Sequence, residues 1–207
     1  MSVSQPKPPR RSRGSLSQEE ILDASIGIIR DEGLEKLSMR RIAQVLRCSV
    51  ASPYAYFESQ EAIIQALIRK GETHLTSMLR EASAATTKDT VYIQLEAIAR
   101  TYWRFATENR ELHKLMINMG IYRKTFQQIP TSYRVFLETL RRGMNSGEIH
   151  YPRERYRQIA GTMWAWIYGV LVLEMNDLLR NSDTLDPIGA GIELFQEMLQ
   201  KGPPETR

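Results

Sequence analysis

Cysteine occurs once in the 207 residues, at Cys48, so the chain cannot close an internal disulfide and has no second thiol for a metal site. That usage fits a reducing compartment. Histidine is almost as scarce: His74, His113 and His150 stand far apart, with neither a His-x-x-x-His nor a Glu-x-x-His spacing. A metal centre therefore has no sequence support. The sequence contains no Gly-x-Ser-x-Gly elbow, no phosphate-binding glycine loop and no Rossmann fingerprint. Catalytic residues and cofactors are accordingly not expected. No apolar run reaches the ~18 residues that span a bilayer, the longest lying around Met163 to Leu173. The Arg10-Arg11 pair is not followed by an apolar segment, so neither export nor organelle targeting is expected. The expectation is a cytoplasmic protein without a membrane partner.

What the chain does have is enough apolar content, 42%, for a sizeable core, and a net charge of +4 that is unevenly spread. The first fourteen residues carry Lys7, Arg10, Arg11 and Arg13, three prolines and no acid. Such a stretch buries no apolar surface and reads as a flexible basic arm over residues 1–14. Arms of this kind follow phosphates or enter the minor groove, Arg10, Arg11 and Arg13 being the candidates; a solubilising tail is the plainer reading.

The rest reads as helix after helix. Apolar residues recur at helical spacing in Ile63, Ala66 and Leu67, in Leu75, Met78 and Leu79, and in Ile93, Leu95, Ile98, Tyr102 and Phe105. Breaks fall at Ala84 to Asp89, near Glu108-Asn109, around Gln127 to Pro130, at Asn145-Ser146-Gly147, at Tyr151-Pro152 and at Asn181 to Pro187. The expected fold is all-α, with about nine helices and no strands. Ser59 is placed to cap a long fourth helix that joins an N-terminal unit to the remainder.

The segment Leu37 to Phe57 is the most telling. Ser38 can cap a first helix with Ile42, Ala43 and Leu46 facing inward and Arg40, Arg41 and Gln44 in water. After a break at Arg47-Cys48, Ser49 can cap a second helix, through about Ala55, whose exposed Val50, Ala51 and Ser52 are small. Small side chains let a helix bring its first turn against base edges in the major groove. Two short helices and a tight turn also occur in helical proteins that never meet DNA.

Taken with Ile21-Leu22-Asp23-Ala24-Ser25, Asp31-Glu32-Gly33, Ile42-Ala43, Ser49, Tyr54, Phe57 and Glu61, the stretch from about Ser17 to Leu67 resembles the DNA-binding domain of TetR-type transcriptional regulators. Three positions depart from the family pattern. Arg47 stands where glycine is usual in the turn, so it either bears a strain of about 1 kcal/mol or the turn is shaped differently, and it offers a charge to phosphate. Pro53 replaces an aliphatic residue and is tolerated only within a first helical turn, which admits a start at Ser52 in place of Ser49. Gln60 replaces a common lysine, keeping a donor and losing a charge.

The resemblance implies a helix-turn-helix domain over residues 15–75 and a helical effector-binding and dimerisation domain over 76–207. Ser38, Tyr54, Tyr56 and Gln60 would hold phosphates, with Arg40, Arg47 and Ser49 beside them, while Val50, Ala51 and Ser52 face bases. Two such helices in a homodimer would enter successive major grooves of a palindromic operator, about 34 to 36 Å apart. Trp164 to Gly169 and the following Val-Leu-Val-Leu-Glu174 resemble a motif in some C-terminal domains of the family, with Tyr168 at its histidine position. An effector cavity is the family's usual second function. Its candidate lining is Trp103, Met116, Met119, Phe126, Tyr133, Trp164 and Tyr168, aromatics and methionines that serve equally as plain core.

The helix from about Glu154 to Leu179 is apolar nearly all round, and the last, from about Pro187 to Leu199, carries one apolar stripe. A helix apolar on every side must be covered on every side. Trp166, Val170, Leu173, Ile188, Ile192, Phe195 and Leu199 are the expected contacts of a four-helix dimer interface, internal core being the alternative. The expected protein is a repressor released from operator DNA by an unknown small molecule. A helical adaptor without DNA binding, or an all-helical enzyme with a dispersed site, are the competing readings.

Overall fold

The computed structural model describes residues 16–118, 130–179 and 186–203. Among them are nine α-helices and two short 3-10 turns, without strands. The N-terminal helices are α1 (Gln18–Glu32), α2 (Met39–Val45), α3 (Ala51–Tyr54) and the long α4 (Gln60–Ala85). Then follow α5 (Val91–Glu108), α6 (Arg110–Ile117), α7 (Thr131–Ser146), α8 (Tyr156–Met175) and α9 (Pro187–Lys201). No helix among the described residues is long and apolar enough to cross a membrane.

Local signals account for the helix ends. Ser17 starts α1 with a capping box, its hydroxyl accepting from the Glu20 N–H at 3.1 Å while its own N–H donates to the Glu20 carboxylate at 3.0 Å. Ser38 accepts from the Arg41 N–H and Ser59 from the Ala62 N–H, both at 3.1 Å, which starts α2 and α4. Thr90 and Asp186 do the same for α5 and α9. Gly33 and Gly147, at φ +96° and +81°, close α1 and α7.

Two of these helices differ from their expected bounds. The chain reading of Glu154 to Leu179 is shortened at both ends, because Arg153–Arg155 forms a 3-10 turn and the backbone leaves the helix at Asn176, with Asp177 at φ +58°. The last helix instead runs on to Lys201, where Gly202 ends it.

Packing centres on α4. Its buried Ile63, Ile64 and Leu67 meet the core of α1 and α2, made by Ile21, Ile28 and Ile42, and its Leu75 and Leu79 belong to the body with α5 and α7. The division at residue 75 therefore falls inside one continuous helix. In the body, α8 and α9 close on each other through Gly191. A Cβ there would stand 2.0 Å from the Trp166 ring, so only glycine lets that indole lie against α9.

Candidate functional site

The turn between α2 and α3 is built around Arg47. Its N–H donates to the Gln44 carbonyl at 3.2 Å, and the Cys48 N–H reaches back to the Ala43 carbonyl at 3.0 Å. That pair of bonds is a Schellman closure, whose left-handed residue is usually glycine. Here Arg47 takes φ +55°, so the turn keeps the family shape and an L side chain carries its strain. In return, an exposed guanidinium projects from the turn.

The second helix starts between the two expected places. The helix α3 begins at Ala51, after a turn whose first bond runs from the Ser52 N–H to the Ser49 carbonyl at 2.9 Å. The Ser49 hydroxyl is not the expected cap; it shares a hydrogen bond with the Ser52 hydroxyl at 2.8 Å. Pro53 lies in this first turn, where its missing N–H leaves no gap, and it is buried. Val50 and Tyr54 remain 49% and 54% exposed, and Ala51 is exposed between them. Ser49, Val50, Ala51 and Tyr54 thus form one outward surface, with Ser52 half-buried beside it. Phe57, three residues after Tyr54, turns inward and is 8% exposed.

Around that surface, Arg40 is exposed, Ser38 half-buried at the α2 cap, and Gln60 half-buried at the first position of α4. Arg41 is held in a fork by Glu32, with a shortest distance of 2.6 Å, and is not free for phosphate. The Tyr56 hydroxyl donates to the Leu16 carbonyl at 2.5 Å, which links the residue before α1 to the turn after α3. Val45, 43% exposed on α2, is a surface apolar residue that the sequence reading passed over. The arm residues Arg10, Arg11 and Arg13, and the lining candidates Met119 and Phe126, lie outside the described residues.

The body holds an apolar cavity of about 30 Å³ between α4, α5, α7, α8 and α9, room for one water. Of the expected lining residues only Trp164 borders it. Tyr133 packs edge-on to Trp164 with ring centres 4.6 Å apart, and Tyr102 stacks on Trp164 at 5.7 Å. Trp103, Met116 and Tyr168 do not border it; Met116 is buried beside Gly71, and the Tyr168 hydroxyl donates to the Ile117 carbonyl at 3.4 Å. A cavity lined from so many helices has no local signature in the sequence.

Behind the cavity lies a polar layer that the sequence reading did not single out. Ser132, which borders the cavity, donates its N–H and its hydroxyl to the two oxygens of Glu72, at 2.8 and 3.0 Å. Glu72, on α4, is 7% exposed; burial pushes its carboxyl up, against the hydrogen bonds from Ser132 that pull it down. Fully buried His113 shares a 3.2 Å hydrogen bond with the Tyr102 hydroxyl through Nε2, and burial lowers its pKa to about 4. Its Nδ1 has no partner among the described residues.

The expected dimer contacts divide. Ile188, Ile192 and Leu199 are buried within their own chain, at 3, 5 and 0% exposure, because the α9 stripe faces its own core; Ile192 and Trp166 border the cavity. Val170 and Phe195 are half-buried, Phe195 lying edge-on to Trp166 at 5.3 Å. Leu173 is exposed, as are Leu194 and Met198 on the outer side of α9. On α8, Gly161 and Gly169 face open space.

Comparison with known proteins fits this geometry. Residues 21–67 match the model for bacterial regulatory proteins of the tetR family, and residues 95–200 that for the tetracyclin repressor-like C-terminal domain. The chain is 26% identical over 100 residues to the nucleoid occlusion factor SlmA of Glaesserella parasuis, and likewise to that of Haemophilus ducreyi. That stretch is 48% of this chain and 48% of each relative, so the chain spans about half the length of the curated relatives it matches. Among solved structures, a protein of unknown function from Rhodococcus sp. RHA1 superposes with a TM-score of 0.74 at 21% identity, over 92% of this chain and 100% of that one. FadR of Bacillus subtilis, solved in complex with stearoyl-CoA, gives 0.70 at 18% identity, over 91% and 100%. At these identities the likeness is one of fold.

Proposed function

Since the chain belongs to the TetR family of bacterial regulatory proteins, we propose that it is a homodimeric, sequence-specific DNA-binding transcriptional regulator, a repressor released from a palindromic operator by a small molecule. The observation that carries this reading is the surface of Ser49, Val50, Ala51 and Tyr54, small or polar residues held outward by a turn that spends an L-residue strain to keep its shape. Val50 and Ala51 suit contact with a thymine methyl, Ser52 and Ser49 hydrogen bonding, and Tyr54, Arg40, Arg47, Ser38 and Gln60 the phosphates. Arg10, Arg11 and Arg13 add charge that follows the backbone.

The dimer is proposed to form on the outer faces of α8 and α9, where Leu173, Leu194 and Met198 are exposed and Gly161 and Gly169 leave room for close approach. The core cavity is proposed as the effector site. It holds one water when closed, so an effector must part its walls, and that movement supplies the difference between bound and free states.

Selection of bound DNA from a random pool by the purified protein, at a stated salt near physiological, tests this reading. An inverted repeat with half-sites one helical turn apart is the expected product. Failure to enrich any sequence refutes it.

A further inference from the structure

The chain enters the fold at a fixed point beside α3. Leu16 is half-buried with its side chain packed on the core, and Ser17 next to it is locked in the capping box of α1. The Leu16 carbonyl accepts from the Tyr56 hydroxyl at 2.5 Å, a bond between residues forty apart in sequence. Tyr56 stands two residues beyond Tyr54, in the turn that follows α3. Residues 1–15 are thereby tethered at the C-terminal end of α3, and they carry Lys7, Arg10, Arg11 and Arg13 against no acid.

The tether limits what those cations can touch. A chain spans at most ~3.6 Å per residue, so the Cα of Arg13 stays within about 11 Å of Leu16 and that of Arg10 within about 22 Å. At ~3.4 Å per base pair, that reach covers about six base pairs of duplex. With α3 in the major groove and Tyr54 at its phosphates, the surface next to the tether is the sugar-phosphate backbone, and across that backbone lies the adjoining minor groove. Arginine is favoured there where A·T-rich sequence narrows the groove and deepens its negative potential.

Resting on the reading of α3 as the recognition helix, we infer that Arg10, Arg11 and Arg13 enter the minor groove bordering each half-site and confer a preference for A·T pairs there, with Tyr56 as the positioning residue that aims them. Tyr56 acts through Leu16. The operator thus gains a read stretch that α3 itself does not reach.

The test is fluorescence anisotropy of the full-length protein, at one fixed salt, on two labelled duplexes. Both carry the selected inverted repeat, and they differ in the base pairs bordering each half-site, all A·T in one and all G·C in the other. The wild type is expected to bind the A·T duplex about tenfold more tightly. Replacing Arg10, Arg11 and Arg13 together by glutamine should level the two duplexes. Tyr56→Phe should cut the preference to about threefold or less, and should change nothing further in the glutamine background, because there is no longer an arginine to aim. The glutamine variant alters only residues ahead of α1, so it keeps the test decisive should Tyr56→Phe fold poorly. A wild type that ignores the bordering pairs, or a preference that survives the glutamines, overturns the inference and leaves α3 as the reader. A loss from Tyr56→Phe that persists in the glutamine background puts Tyr56 on phosphate itself and overturns its positioning role. Binding to neither duplex overturns the reading of α3 and the inference together.

Discussion

Replacing Arg47 by glycine sets stability and DNA binding in opposition. The wild-type residue sits at φ +55°, which costs an L-residue about 1–2 kcal/mol. Glycine relieves that and gives back about 0.5–1 kcal/mol through the greater freedom of its unfolded chain. A net gain of about 0.5–1 kcal/mol is expected, a rise in melting temperature of roughly 1–4 °C for a protein of this size. On DNA the sign reverses. If each Arg47 neutralises one phosphate, a dimer loses two, and the slope of log affinity against log salt flattens by about 1.8. Between 50 and 200 mM salt, the wild type should then lose about tenfold more affinity than the variant. Fluorescence anisotropy with labelled operator over a salt series reads the slope, and thermal melts read the stability. Arg47→Lys is the control, keeping the slope without the stability gain. A slope unchanged in Arg47→Gly reduces Arg47 to a strained turn residue; a lower melting temperature refutes the strain.

Three further outcomes follow from named contacts. Tyr54→Phe should weaken binding to all sequences alike, by about 0.5–1.5 kcal/mol, as losing one hydrogen bond to phosphate does; a changed operator preference would make Tyr54 a base reader. Gly191→Ala should lower stability by about 1–3 kcal/mol in a chemical melt, because its Cβ meets the Trp166 ring, and an unchanged midpoint would show that the indole moves aside freely. His113 is held by burial at about 4, below its ordinary 6.5, so the unfolded chain binds its proton more readily. The wild type should lose stability relative to His113→Leu as pH falls from about 6.5 towards 4, by about 3 kcal/mol at the lower end, with no such change above pH 7. Glu72 is raised by burial and contributes the opposite slope, which cancels in that comparison. Parallel curves for the two proteins would contradict the neutral, desolvated histidine.

The helices and their order were legible because caps and breaks are local. Ser38, Ser59 and Gly147 act within a few residues of themselves, and each was visible in the spacing of its neighbours. The turn was legible only in part: the glycine position was known from family pattern, yet whether Arg47 would adopt a left-handed backbone or reshape the turn depends on the bonds that the Arg47 and Cys48 N–H groups donate to the Gln44 and Ala43 carbonyls. The stripe of Ile188, Ile192 and Leu199 misled because periodicity finds an apolar face without saying what covers it; the helix buried that face in its own chain and left Leu194 and Met198 outside. Glu72 was illegible for a different reason. It sits mid-helix like any solvated acid, and its partner Ser132 lies sixty residues away.

The position of that acid along α4 has a mechanical consequence. Glu72 lies near the middle of the helix, about 18 Å from Gln60 at ~1.5 Å per residue. With α4 anchored there to α7, the N-terminal half behaves as a lever arm that carries α3 at its tip. A tilt of about 5° at the anchor displaces the tip by roughly 1.6 Å, and opposite tilts in two protomers by about 3 Å, against a groove repeat of about 34 Å. The gain of such a lever is fixed by the number of residues between pivot and tip, and the packing of Ile63, Ile64 and Leu67 on α1 makes the N-terminal unit travel with it as one piece.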